Sequence, residues 1–181
     1  MRADAARNRE KLLAAAGQVF GARGLDAPLD HIAREAGVSI GTLYAHFPTR
    51  DAFLDAIFPA RLTAVDEIGA AALADPDPWH GFTSFLEGVL TLQAADRGLN
   101  DVLTGRVPLT PDLAAACERG AKYADELIAR ARASGDLRTD FQPSDLVTLM
   151  VAMSRAVHES PPHAWRRLLT FLLDGLHGAE R

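Results

Sequence analysis

The sequence predicts an all-α fold. Apolar residues recur at helical spacing along nearly the whole chain, and no pair of alternating apolar–polar runs marks a hairpin. Turn and breaker residues such as Gly24, Pro48, Asp75–Pro78, Gly135 and Pro161 punctuate these helical stretches. With 48% hydrophobic and 24% charged residues in 181, the chain has enough apolar surface for a core and too much for disorder.

Taken in order, Leu12, Leu13, Ala16, Val19 and Phe20 share one face of a first helix over residues 4–23, which Gly24 stops. Pro28 suits the first turn of a second helix, where its missing N–H is not needed, and Leu29, Ile32, Ala33 and Ala36 line its inner face. Gly37-Val38 turns the chain, and Ser39 caps a short third helix with Leu43 and Phe47 inward. Thr49 caps a fourth helix to residue 74, interrupted by Pro59. A fifth runs to residue 96 with Trp79, Phe82, Phe85, Leu86, Val89 and Leu92 apolar, and a short piece covers 99–103. Helices over 111–134, from Pro143, and over 163–176 complete the chain. The short link at Pro161-Pro162 makes the last two antiparallel neighbours.

One cysteine, Cys117, rules out an intrachain disulfide and reads as a small core residue of a protein in a reducing cytoplasm. The first residues lack the apolar stretch of a secretory signal, and no apolar run reaches the roughly 18 residues of a membrane helix. No phosphate loop, nucleophile elbow, HExxH or CxxC occurs, so the residues indicate no enzyme and no cofactor. His158 and His163 stand five apart, which does not place them on one helix face for a metal. The formal charge is −5, but residues 1–50 carry seven Lys/Arg against five acids, leaving −7 on the remainder. Phosphate affinity follows the local field, so this asymmetry permits a polyanion partner at the N-terminal end.

The informative stretch is Leu29–Arg50, LDHIAREAGVSIGTLYAHFPTR. A helix carrying Ile-Ala, an Ala-Gly-Val turn and a helix starting after Ser39 form a helix-turn-helix pattern, whose second helix fits a major groove about 12 Å wide. Its outer residues are Ile40, Gly41, Thr42, Ala45 and His46, with Tyr44 at the edge. Thr42 and Tyr44 offer hydroxyls to phosphate, His46 a ring N–H, and Arg50 a cation.

Val38 to Arg50, V-S-x-G-T-L-Y-x-H-F-x-T-R, closely resembles the TetR (tetracycline repressor) family, and the resemblance is specific over residues 8–58. It implies a three-helix DNA-binding domain over 1–50 and a helical effector-binding and dimerisation domain over 51–181. It also implies a double-stranded operator as partner. Ser39, Ile40, Gly41, Thr42, Tyr44, His46 and Arg50 are the DNA-binding residues it implies, the positions of Ile40, Gly41 and Thr42 entering the groove and those of Tyr44, His46 and Arg50 holding phosphates. The family's threonine near Pro28 is absent here, and Asp30 would repel phosphate if it pointed at DNA.

Two broad apolar stripes in the last two helices suggest more surface to cover than a lone hairpin offers. Leu146, Met150, Trp165, Leu168, Leu169, Leu172 and Leu176 are the expected contacts of a homodimer, the four-helix interface the family implies. A small-molecule effector is implied as well, with Phe82, Phe85, Leu86, Met150 and Met153 as candidate lining, although the same residues also read as plain core. A helical adaptor, or a small helical enzyme, is the alternative reading of the fold.

Overall fold

The computed structural model describes residues 2–161 and 163–178; Pro162 of the expected diproline break lies outside them. Among the described residues the chain forms nine helices. They are α1 (Arg2–Arg23), α2 (Leu29–Glu35), α3 (Ile40–His46), α4 (Arg50–Ala74), α5 (Pro78–Ala95), α6 (Arg97–Leu103), α7 (Pro111–Ser134), α8 (Pro143–Glu159) and α9 (Ala164–Leu176). The all-α expectation holds: the described residues contain no strand, only an isolated bridge between Leu137 and His177.

Local chemistry sets most helix boundaries. Gly24 ends α1 with φ +78°, a region only glycine enters cheaply. The Thr49 hydroxyl accepts the Ala52 N–H at 3.1 Å and so caps α4, while Pro59 lies inside that helix. Pro28 sits one position earlier than its sequence suggests, as the N-cap of α2, with no side chain able to accept a hydrogen bond. Helix α6 begins two residues before the expected start because the Asp96 carboxylate accepts the Leu99 N–H at 2.9 Å.

Contacts divide the chain into two compact units. One comprises Met1–Arg61 and Ala95–Ala114. Its core is aromatic: Phe20 lies 6.1 Å from Phe53 and 6.3 Å from Phe58, and Phe47 lies 4.6 Å from Phe53. Phe20, Phe53 and Phe58 are completely buried, each contributing roughly 1.5–3 kcal/mol of hydrophobic stabilisation. Helix α6 belongs to this core. A side chain at Gly98 would press within 3.1 Å of both Phe20 and Phe58, so the bare backbone is what lets α6 lie against them.

The other unit comprises Leu62–Ala94 and Ala115–Arg181. Phe82 meets Phe141 edge-on at 6.0 Å, and Leu90, Met153, Trp165 and Leu169 form a buried cluster bordered by Leu149, Met150, Leu172 and Leu173. Arg130 donates to the carbonyls of Leu73 and Asp75, satisfying the end of α4. Helices α8 and α9 pack together, as their short connection predicts.

Candidate nucleic-acid interface

Helix α3 is short, and its position is fixed from behind. Leu43 is fully buried and Phe47 nearly so, which orients the opposite face outward. Ser39 begins it: its Oγ accepts the Thr42 N–H at 3.1 Å and lies 2.9 Å from Thr42 Oγ1. On the outer face Ile40 and Tyr44 are 40% and 48% exposed; Gly41 and Ala45 are exposed, and Thr42 and His46 half-buried. Six of the seven expected DNA-facing residues, Ser39 to His46, therefore lie on this short helix or at its cap.

Arg50 is placed differently from its neighbours. Its guanidinium donates to the Leu25 carbonyl and lies 5.8 Å from the centre of the Phe20 ring, so it secures the α1–α2 turn. The N–H of the same Leu25 donates to Asp101 Oδ2 of α6 at 2.8 Å. A single residue between α1 and α2 is thus held at both polar groups, by α4 and by α6. Asp101 is itself approached by Arg106 at 3.7 Å, and Gly24 must be bare because a Cβ there would lie 2.6 Å from Asp101 Oδ2. A second ion pair, Arg61–Asp96 at 2.5 Å, ties α4 to the start of α6.

Other charges sort themselves similarly. Asp30 pairs with Arg34 one turn on, at 3.2 Å, which offsets the negative charge that the sequence raises near the phosphate side. Arg9, which the motif did not single out, lies exposed with its guanidinium 5.4 Å from the Phe47 ring, at the end of α3. Only the packing of α1 behind α3 reveals it, since 37 positions separate Arg9 from His46.

Comparison with known proteins gives this geometry a family. Residues 12–57 match the profile of bacterial regulatory proteins of the tetR family, and residues 77–178 that of the SbtR-like transcriptional regulator C-terminal domain. The repressor BepR of Brucella suis is 30% identical over 165 residues, covering 84% of this chain and 79% of the relative. The chain belongs to the TetR family.

Solved TetR-family structures agree across the length. A regulator from Streptomyces coelicolor is 30% identical with TM-score 0.62, covering 95% of this chain and 99% of its own. One from Mycobacterium vanbaalenii is 33% identical with TM-score 0.58, covering 97% and 98%. The chain is accordingly a DNA-binding transcriptional regulator with a TetR-type N-terminal domain and a helical C-terminal domain.

In the C-terminal unit of this TetR-family chain, Phe82, Phe85, Leu86 and Met153 are buried and Met150 is half-buried. A cavity of about 420 Å³ lies elsewhere, between α8 and α9, lined by Arg138, Phe141, Asp145, Leu149, Leu172 and Leu176 among others, and by none of those five. Of the expected dimer residues, Leu146, Trp165 and Leu169 are buried within the chain itself, while Leu168 is exposed and Met150, Leu172 and Leu176 are half-buried. Val147, Val151 and Phe171, which belong to the two broad apolar stripes of these helices, are 64%, 43% and 58% exposed. Cys117, expected in the core, is only half-buried, and that burial pushes its thiol above the usual range. Among the described residues no three metal-binding side chains converge, and no helix is long and apolar enough to cross a membrane.

Proposed function

We propose that the protein is a cytoplasmic repressor that binds a palindromic operator as a homodimer and leaves it when a small-molecule effector binds. In this reading residues 1–50 carry DNA contact, and residues 51–181 carry effector binding and dimerisation. The observation that carries it is the two-sidedness of α3: Leu43 and Phe47 are locked inside while Ile40, Gly41, Tyr44 and Ala45 stand free on the outer face. Thr42 and Tyr44 supply hydroxyls and His46 a ring nitrogen to phosphates. Arg50 acts by holding the α1–α2 turn, and exposed Arg9, beside Phe47 at the end of α3, adds a cation for phosphate.

Dimerisation is supported by Val147, Val151, Leu168 and Phe171, large apolar side chains left exposed on α8 and α9. A second copy seated there makes a four-helix bundle, with Met150 and Leu172 at its margin. Twofold pairing would set two α3 helices about 34–36 Å apart for successive major grooves. An effector favouring a different head spacing would release the operator by population shift. BepR, a repressor by name, supports repression as the output.

Selection of binding sites from random duplex DNA with the purified full chain tests the reading. The expected result is an inverted repeat with half-site centres one helical turn apart. A protein that enriches no sequence above its non-specific background would refute it.

A further inference from the structure

The outer face of α3 combines a branched apolar side chain with a neighbour that has none. Among the described residues of its unit, the large hydrophobic side chains left exposed are Ile40 and Tyr44, both on this helix. Tyr44 has a hydroxyl to give; Ile40 has nothing polar to offer.

Gly41 is equally unexplained by the fold. Its φ is not in the left-handed region, and an added Cβ would meet only Ser39 Oγ, at 3.7 Å, an ordinary contact. Glycine inside a helix is worse than alanine. Its presence therefore has to be sought outside the molecule, in a surface that approaches the α3 backbone closely. Of the polar groups alongside, Ser39 Oγ receives the Thr42 N–H and pairs with Thr42 Oγ1, which leaves one hydroxyl hydrogen of the pair for an outside partner.

Resting on the DNA-binding reading above, we propose that Ile40 is a specificity-determining residue that selects thymine by contact with its 5-methyl group, and that Gly41 is bare so that the helix can approach the base edges. Of the four bases only thymine places a methyl group in the major groove. An isoleucine gains nothing from phosphate or from the donors and acceptors of guanine, adenine or cytosine, whereas it removes that methyl from water. Ile40 thus reads by shape and desolvation where hydrogen bonding is scarce.

The test uses the operator recovered from selection and the full-length protein. Each thymine of a half-site is replaced in turn by deoxyuridine, which deletes the methyl and leaves base pairing intact. One position is expected to lose affinity about fourfold, the factor that roughly 0.8 kcal/mol for a buried carbon gives at 25 °C. Ile40→Ala should weaken the thymine site and bring the thymine-to-uracil ratio at that position to about one. Gly41→Ala should raise the thermal midpoint yet weaken operator binding, an opposition that a purely structural glycine does not produce.

Deoxyuridine that is neutral at every position, or an unchanged ratio in Ile40→Ala, overturns the inference while the DNA-binding reading stands. Failure to recover any operator overturns both.

Discussion

Arg50 sits half-buried with its guanidinium on the Leu25 carbonyl and over the Phe20 ring, so truncating it removes an internal contact as well as a charge. Arg50→Ala should cost about 1–3 kcal/mol of stability, because the Leu25 carbonyl loses its charged donor. Tyr44→Ala, at an exposed position, should leave stability within about 0.5 kcal/mol. It should instead weaken binding to every DNA sequence alike while leaving the salt slope unchanged, because its hydroxyl contact to phosphate carries no charge. Urea unfolding beside a salt titration of DNA affinity separates the two variants; equal stability losses would contradict the assignment. Gln93 presents a different case. It is completely buried, and neither its amide nitrogen nor its oxygen has a hydrogen-bond partner in the protein. Replacing it by methionine, similar in length and without the orphaned groups, should raise stability by about 1–3 kcal/mol in the same urea experiment. A loss would show that the amide is satisfied by something bound.

Between α4 and α5 the turn is organised by Asp75 and Asp77, whose carboxylates accept backbone N–H groups, and by His80, whose ring lies 2.5 Å from Asp75. The hydrogen bond to Asp75 raises the His80 pKa, and the same bond lowers that of Asp75. A raised histidine pKa means the folded form binds the proton more tightly than the unfolded chain. The stabilisation is therefore full below the ordinary histidine value of 6.5, and it fades as pH rises through the raised one. Asp75 contributes in the opposite direction, losing its share only as acid protonates it below the carboxylate range. Thermal midpoints across pH 5.5–8.5 (roughly the span in which histidine titrates) should fall less for His80→Gln than for the parent on the alkaline side. Parallel curves would remove the pair from consideration.

Elements of this kind were legible to different depths. The stops and caps at Gly24, Ser39 and Thr49 were readable because each acts within three or four residues of itself. The inward set Leu43 and Phe47 was readable from periodicity, and the outer face of α3 with Ile40, Gly41, Tyr44 and Ala45 from the helix-turn-helix pattern. The grip of Asp101 on Leu25 was not, because 76 residues separate the two and nothing in local spacing announces it. The same limit explains the α8 and α9 stripes. A wide stripe tells that two surfaces are covered, but packing decides that Trp165 and Leu169 turn inward while Val147 and Phe171 stay outside.

For the molecule as a whole, the exposed apolar set on α8 and α9 carries the proposed assembly. Val147→Asp combined with Phe171→Asp replaces two of its most exposed members, so the chain should still fold. Sedimentation should then show a monomer, and operator affinity should fall about a hundredfold or more as the linkage between half-sites is lost. A double variant that still sediments as a dimer would place the subunit contact elsewhere.

The hold of α6 on the α1–α2 turn also bears on how this regulator could be re-engineered. A chimera that borrowed only the first 61 residues would inherit α3 but not Asp101, leaving the Leu25 amide hydrogen without its acceptor. It would also strip Phe20 and Phe58 of the backbone at Gly98 that covers them. The transplantable module is consequently discontinuous: residues 95–114 have to travel with the head, or a host must supply their equivalent.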